Sequence, residues 1–208
     1  AVAVIGTTVS GLSSTQPTNT TTNQSFSISN SGGIDLNWTL FEDNAAAARA
    51  ATLAWSDNFD SYAAGSQLIG QGGWEGWGGS AAAGALASNA QALSAPNSVA
   101  VVGGTDLVHQ YSGYTTGVWN YTAWQYIPDN YTGDSAFILL NEYTGGGGNW
   151  STEVTFRGST NQVINLGGEI LPLIRGRWVE IRVEINLDAD MQTFYYDNQV
   201  LFMDSWTD

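Results

Sequence analysis

The sequence has no cysteine and no lysine, and in 208 residues it has one histidine, two methionines and four prolines. Without cysteine there is neither a disulfide framework nor a thiolate metal site, and composition gives no reading of redox compartment. With five arginines against nineteen acidic residues the formal net charge is −14. Such a polyanion repels phosphate backbones, which excludes nucleic acid as a partner. It also repels anionic lipid, and no stretch approaches about eighteen consecutive apolar residues, so no membrane insertion is expected. The lone histidine, His109, is the single candidate for a Ser-His-Asp relay or a multi-histidine metal site, and it sits beside Tyr111 as groove or surface histidines do. The glycine run at 145–148 precedes a strand-like segment rather than a helix, so it is no phosphate loop.

What the chain does have is glycine, with 25 residues, and aromatics, with nine Trp, nine Tyr and seven Phe. Residues 1–43 form one compositional unit. AVAVIGTTVSGL has strand-like β-branched content, and SSTQPTNTTTNQS reads as a polar connector. SFSISNSGGIDLNWTL reads as two strands about Ser31-Gly32-Gly33, with Phe26, Ile28 and then Ile34, Leu36, Trp38 alternating. So few large apolar residues make no stable core alone, and something else must cover these strands. The alanine-rich stretch 44–54 is a linker too short for an independent helix.

From Trp55 onward the pattern is β. NSVAVVGG, TDLVHQYSG, GVWNYTAWQYI, SAFILLNEY, NWSTEVTFRG, QVINLGG, GRWVEIRVEINL and MQTFYYD-NQ-VLFMD are short alternating segments separated by Gly, Asn and Asp. In WVEIRVEINL the residues Val179, Ile181, Val183, Ile185 and Leu187 share one face, and Trp178, Glu180, Arg182, Glu184 and Asn186 the other. That is a half-buried antiparallel strand. Strands at this spacing without long helices predict an all-β fold, an antiparallel jelly-roll β-sandwich over 55–208 behind a short N-terminal strand extension.

The segments FDSYAAGSQLIGQGGWEGWGG, SNAQALSAPNSVAVVGG and GRWVEIRVEINLDADMQTFYYDNQVLF resemble the concanavalin A-like, laminin-G-like jelly-roll modules of secreted bacterial proteins. SFSISNSGGIDLNWTL resembles the early strands of the immunoglobulin-like repeats that accompany them. The resemblance implies a terminal strand that returns beside the FDSY segment. The sequence reaches WTD before such a strand, so both ends read as incomplete. It also bears on EIRVE, because related glucanases carry Glu-x-Asp-x-Glu on their active strand. Here Arg182 stands where the aspartate would, and an arginine pairing with Glu180 and Glu184 holds both ionised, whereas a glycosidase acid must keep its proton. No catalytic residue is expected.

Binding candidates remain. Trp74 and Trp77 lie in glycine-rich GGWEGWGG, where they either stack on sugar or plug the end of the sandwich. In GVWNYTAWQYI alternation sends Trp119 and Tyr121 one way and Trp124 and Tyr126 the other, an aromatic surplus suited to carbohydrate or to an interface. Asp57, Asp60, Asp188 and Asp190 are candidate ligands for a structural Ca²⁺, which takes about six to eight oxygens, and are equally well explained as turn residues. Asn-x-Ser/Thr occurs at Asn19, Asn23, Asn37, Asn120, Asn130 and Asn149, either as coincidence or as glycosylation acceptors, and both place the protein outside the cell.

Two functions are expected from this. In the first, the chain is a non-catalytic extracellular or cell-surface subunit whose N-terminal strands, with Phe26, Ile28, Ile34, Leu36 and Trp38, add to a neighbouring copy in a head-to-tail homopolymer. In the alternative, it is a lectin-like carbohydrate-binding module of a larger secreted protein.

Overall fold

The computed structural model describes residues 5–7, 27–32 and 55–207, and its contacts divide the chain into two units, Ala1–Asp43 and Asn44–Asp208. In the first unit, β1 (Ile5–Thr7) pairs antiparallel with β2 (Ile28–Asn30), Thr7 standing opposite Ile28. The Asn30 side chain then accepts a hydrogen bond from Gly32 N–H, which turns the chain as asparagine does after a strand. The second expected strand of that hairpin, around Ile34–Trp38, and the linker at 44–54 lie outside the described residues.

The second unit opens with two short pairs. β3 (Trp74–Gly76) and β6 (Leu107–His109) form one; β4 (Leu86–Ser88) and β5 (Ser98–Ala100) form the other. Glycine sets the first of these up. Gly72 and Gly73 both have positive φ, and a Cβ on Gly73 would stand 2.9 Å from His109 Nε2, so only glycine admits both the turn and the ring behind it.

Two four-stranded antiparallel sheets follow. β8 (Asp134–Tyr143), β9 (Gly148–Arg157), β10 (Gln162–Asn165) and β11 (Ile170–Pro172) make a meander in the order β11-β10-β9-β8. β12 (Trp178–Asn186), β13 (Met191–Tyr196) and β14 (Gln199–Ser205) make a second, which β7 (Val118–Tyr126) completes beside β12, in the order β14-β13-β12-β7. Pro172 falls on edge strand β11, where a missing N–H breaks no ladder.

The inner faces meet as in a sandwich. Val154 and Phe156 from β9 and Val163 from β10 pack in one cluster with Val179, Ile181, Val183 and Ile185 from β12 and Phe194 and Tyr196 from β13. The alternation read from WVEIRVEIN is literal: its odd-numbered residues from Val179 to Ile185 are buried and its even-numbered ones half-buried. Two buried polar side chains tie the sheets together, because Thr152 of β9 donates to Gln192 of β13, and Gln192 donates onward to the Ser205 carbonyl at 2.8 Å. Satisfied in this way, neither costs the desolvation of an orphaned group. The all-β antiparallel sandwich predicted from the sequence is the fold the chain adopts.

The last hairpin turns one residue earlier than the sequence suggested. Asp197 and Asn198, not Asn198 and Gln199, take positive φ of 50° and 60°. A two-residue hairpin loop needs both central residues left-handed, which Asp and Asn tolerate better than Gln.

Candidate functional site

A cleft of about 350 Å³ opens between β6 and β8. It is lined by the continuous stretches Leu107–Tyr111 and Ile138–Asn141, with Tyr121 from the inner face of β7 and Trp74, Trp77 and Tyr143 around it. A strand face would contribute alternate residues, whereas a strand edge contributes consecutive ones. The cleft therefore runs between two strand edges. β6 is hydrogen-bonded only to β3 and β8 only to β9 among the described strands.

Its two ends differ in chemistry. At one, Trp77 lies 5.1 Å from Tyr143 and 5.6 Å from Trp150, ring centre to ring centre. Gly78 N–H donates to the Tyr143 hydroxyl at 2.9 Å, which fixes that ring across 65 residues of sequence. At the other, His109 stacks on Trp55 at 3.7 Å and meets Tyr111 at 4.6 Å and Trp74 at 5.5 Å. His109 Nδ1 is buried and has no hydrogen-bond partner among the described residues. Burial pushes the imidazole pKa down, against the pull of Asp57 and Glu75, so the ring is held neutral in the wall of the cleft. Burial, and then the charge and the hydrogen bond of Tyr121, push the Tyr111 hydroxyl up, and burial does the same to Tyr121.

Of the aromatics singled out from the sequence, Trp74 is enclosed. Phe59 stacks on it at 5.7 Å, Trp55 meets it edge-on at 5.3 Å, and its Nε1 donates to Asp57 at 2.8 Å. Trp119 and Tyr121 face inward, the first against Tyr114 at 4.4 Å and the second against Phe137 at 5.5 Å. Trp124 and Tyr126 face outward, Trp124 with 47% of its surface exposed, opposite Glu180 and Trp178 respectively. Tyr126 and Trp178 are 5.7 Å apart. The sequence reading missed Tyr143, Trp150 and Trp178 as members of these groups. Alternation already put Trp178 on the wet face with Glu180, but the register that brings it to Tyr126 is set between strands far apart in sequence.

The outer face also carries EIRVE. Arg182 Nε donates to Glu180 Oε1 at 3.2 Å, Nη1 donates to Glu184, and the Tyr195 hydroxyl donates to Glu184 Oε2 at 3.1 Å. The two carboxylates share one guanidinium instead of facing each other across a substrate space.

The four aspartates put forward for calcium each accept hydrogen bonds from loop residues. Asp57 accepts from Trp74, from the Tyr62 hydroxyl and from Phe59 N–H. Tyr62 is pushed up to about 12, by burial first and then by that hydrogen bond to Asp57. Asp60 accepts from Asn58, Ser94 and Asn97 N–H, and so joins two loops. Asp188 accepts from Gly117 N–H, and Asp190 from Ser205 and Thr207 at 2.8 and 2.9 Å. Those two hydroxyls hold Asp190 below the usual carboxylate range. No three His, Asp or Glu side chains gather into a metal-holding group among the described residues, and the buried Asp190 Oδ1 has no hydrogen-bond partner among them.

Asn120 and Asn130 are exposed; Asn149 is exposed as well, but its Nδ2 donates to the Thr207 carbonyl at 2.8 Å. Asn19, Asn23 and Asn37 lie outside the described residues, as do Phe26, Ile34, Leu36 and Trp38, while Ile28 is half-buried in β2. Comparison of the chain with protein-family models, with curated proteins and with solved structures finds no match.

Proposed function

We propose that this chain is a non-catalytic extracellular subunit that takes up an extended segment of a neighbouring copy as an added strand, and so builds a fibre or matrix. The observation that carries the reading is the cleft between the edges of β6 and β8 that pair with no other described strand, lined by consecutive residues on both sides. Main-chain groups along such edges give affinity to an incoming strand, and side-chain pockets select its alternate residues. Charge selects the donor. The whole chain carries −14, yet residues 1–41 contain a single ionisable side chain, Asp35, so this stretch enters a like-charged neighbour at little Coulombic cost. Phe26, Ile28, Ile34, Leu36 and Trp38 supply the alternating apolar residues. A head-to-tail contact of this kind propagates unless its rotation closes a ring.

The test compares the full chain with a form lacking residues 1–43 and with a full-length Leu107→Pro chain, in which proline removes a donor from the edge of β6 that faces away from β3. Sedimentation and negative-stain imaging should show concentration-dependent polymers for the full chain alone. A peptide spanning residues 24–40 should bind the shortened form and perturb its tryptophan emission. A full chain that sediments as a monomer at every concentration ends this reading.

A second reading, a lectin-like carbohydrate-binding module, draws on the aromatic walls of the same cleft, with Trp77 between Tyr143 and Trp150. On that reading glycans, and not the peptide, perturb the emission, and Trp77→Ala abolishes the response.

A further inference from the structure

The outer face of the β14-β13-β12-β7 sheet is remote in kind from the cleft. It is a flat strand surface, and its side chains are of three sorts. Aliphatic groups stand toward two margins, with Val118 on β7 and Met203 on β14. Near the Tyr126 end, Tyr126 and Trp178 are in ring contact, and Trp124 stands on the same face two residues before Tyr126. Between them lies the Glu180–Arg182–Glu184 network.

We infer that this face is a binding site for a neutral polysaccharide chain, with Trp124 as its stacking platform and Glu180 and Arg182 as its hydroxyl-reading groups. The register supplies the geometry. Trp124 stands directly opposite Glu180, so the carboxylate lies beside the indole on the same face. A pyranose that lays its C–H face on an indole projects its equatorial hydroxyls sideways, in the plane where that carboxylate stands. Glu180 Oε1 is engaged by Arg182, but no described residue donates to Oε2, which is left to accept from a hydroxyl.

Arg182 is fixed in advance. It is bound to both glutamates, and its guanidinium carbon lies 3.9 Å from the Tyr195 ring centre. An arginine held in place loses little rotamer freedom when a ligand arrives. Because its charge is already matched by two carboxylates, the face has no need of an ionic ligand. The net charge of −14 turns away acidic glycans, phosphate polymers and anionic lipid surfaces. A flat platform, unlike a pocket, suits a ligand long enough to lie across several strands spaced about 4.8 Å apart. What remains is a long, uncharged polyol.

The experiment is affinity electrophoresis of the full chain through gels containing neutral β-glucan, xylan, galactomannan or dextran, at one dilute protein concentration. At least one polymer should retard the chain. Trp124→Ala should weaken that retardation by about tenfold or more, and Glu180→Gln should weaken it less. Met203→Ala, on the same face away from the rings, and Trp77→Ala, in the cleft, should leave it unchanged. Circular dichroism and thermal midpoints of the variants separate lost binding from lost fold. Three results overturn the assignment: no retardation by any of the four polymers; retardation undiminished in folded Trp124→Ala; or Trp77→Ala abolishing it, which moves the sugar site to the cleft. Self-association lost in Trp124→Ala without any change in gel mobility also overturns it, since the face is then an interface between copies.

Discussion

Arg182 and Tyr195 stand directly opposite each other on β12 and β13, with the guanidinium lying over the phenol ring. The contact matters because the same guanidinium separates two glutamates on one face. Arg182→Ala leaves Glu180 and Glu184 as unscreened neighbours and uncovers the ring. These groups are a quarter to two-fifths exposed, so solvent discounts the loss to about 1 kcal/mol in urea unfolding. High salt should shrink the difference from wild type. Arg182→Met, which keeps the stem over Tyr195, should recover part of it.

The opposite face of the same strand should behave differently. Ile181 is 2% exposed, and Ile181→Ala should cost about 2–4 kcal/mol through the cavity it leaves between the sheets. Equal costs at Ile181 and Arg182 would mean that the faces are misassigned.

Gly73→Ala and Gly65→Ala separate strain from crowding. Both positions have φ of +84°, but a Cβ at 73 meets His109 Nε2 while one at 65 meets nothing within 4 Å. Gly65→Ala should cost about 1 kcal/mol, the left-handed penalty alone. Gly73→Ala should cost more and should change the fluorescence of Trp55 and Trp74, which flank the displaced ring.

Stability should fall at both ends of the pH scale. Tyr62 is raised from 10.0 to about 12 in the folded chain, so the unfolded chain loses this proton first. Its contribution is whole below pH 10 and disappears as pH climbs to about 12, and the raised Tyr111, Tyr121 and Tyr196 act in the same sense. Absorbance at the phenolate band should rise together with loss of near-ultraviolet circular dichroism. Tyr62→Phe should separate its share, although it leaves Asp57 with one donor fewer. His109 is depressed below 6.5, so the unfolded chain takes up the proton more readily, and stability should drop as pH falls through 6.5 and below. In His109→Phe this drop should be smaller.

The contrast between β12 and the cleft shows what the sequence could and could not display. The faces of WVEIRVEINL follow from a period of two within nine residues, and the structure reproduces them one by one. That Arg182 would hold both glutamates followed from the same local spacing. The group Trp77, Tyr143 and Trp150 joins three separate segments, and no pattern in any one of them announces the others. The strand-edge character of the cleft depends on which strands stay unpaired, a property of the sheet order rather than of any strand. Trp119 and Trp124 are alike in sequence neighbourhood, and alternation sorted them to opposite faces without saying which was wet. The aspartates illustrate the reverse case. Asp60 looks like a ligand in a one-dimensional reading, yet in the structure side-chain, hydroxyl and amide donors from two loops reach both of its oxygens.

The pairing of β7 with β12 has a consequence for the order in which the molecule can be made. Residues 127–177, which include all four strands of the opposite sheet, lie between the two partners. During synthesis β7 leaves the ribosome with aromatic rings on both faces and waits about 3–10 s at ordinary elongation rates for the strand that will cover its flank. The opposite sheet, a simple meander, can form in that interval from neighbouring segments. β12, β13 and β14 are again local to one another. The closing event is therefore a single long-range docking of a preformed ribbon onto a waiting strand, and the waiting strand is where a chaperone, or a stray copy, would find this chain most vulnerable.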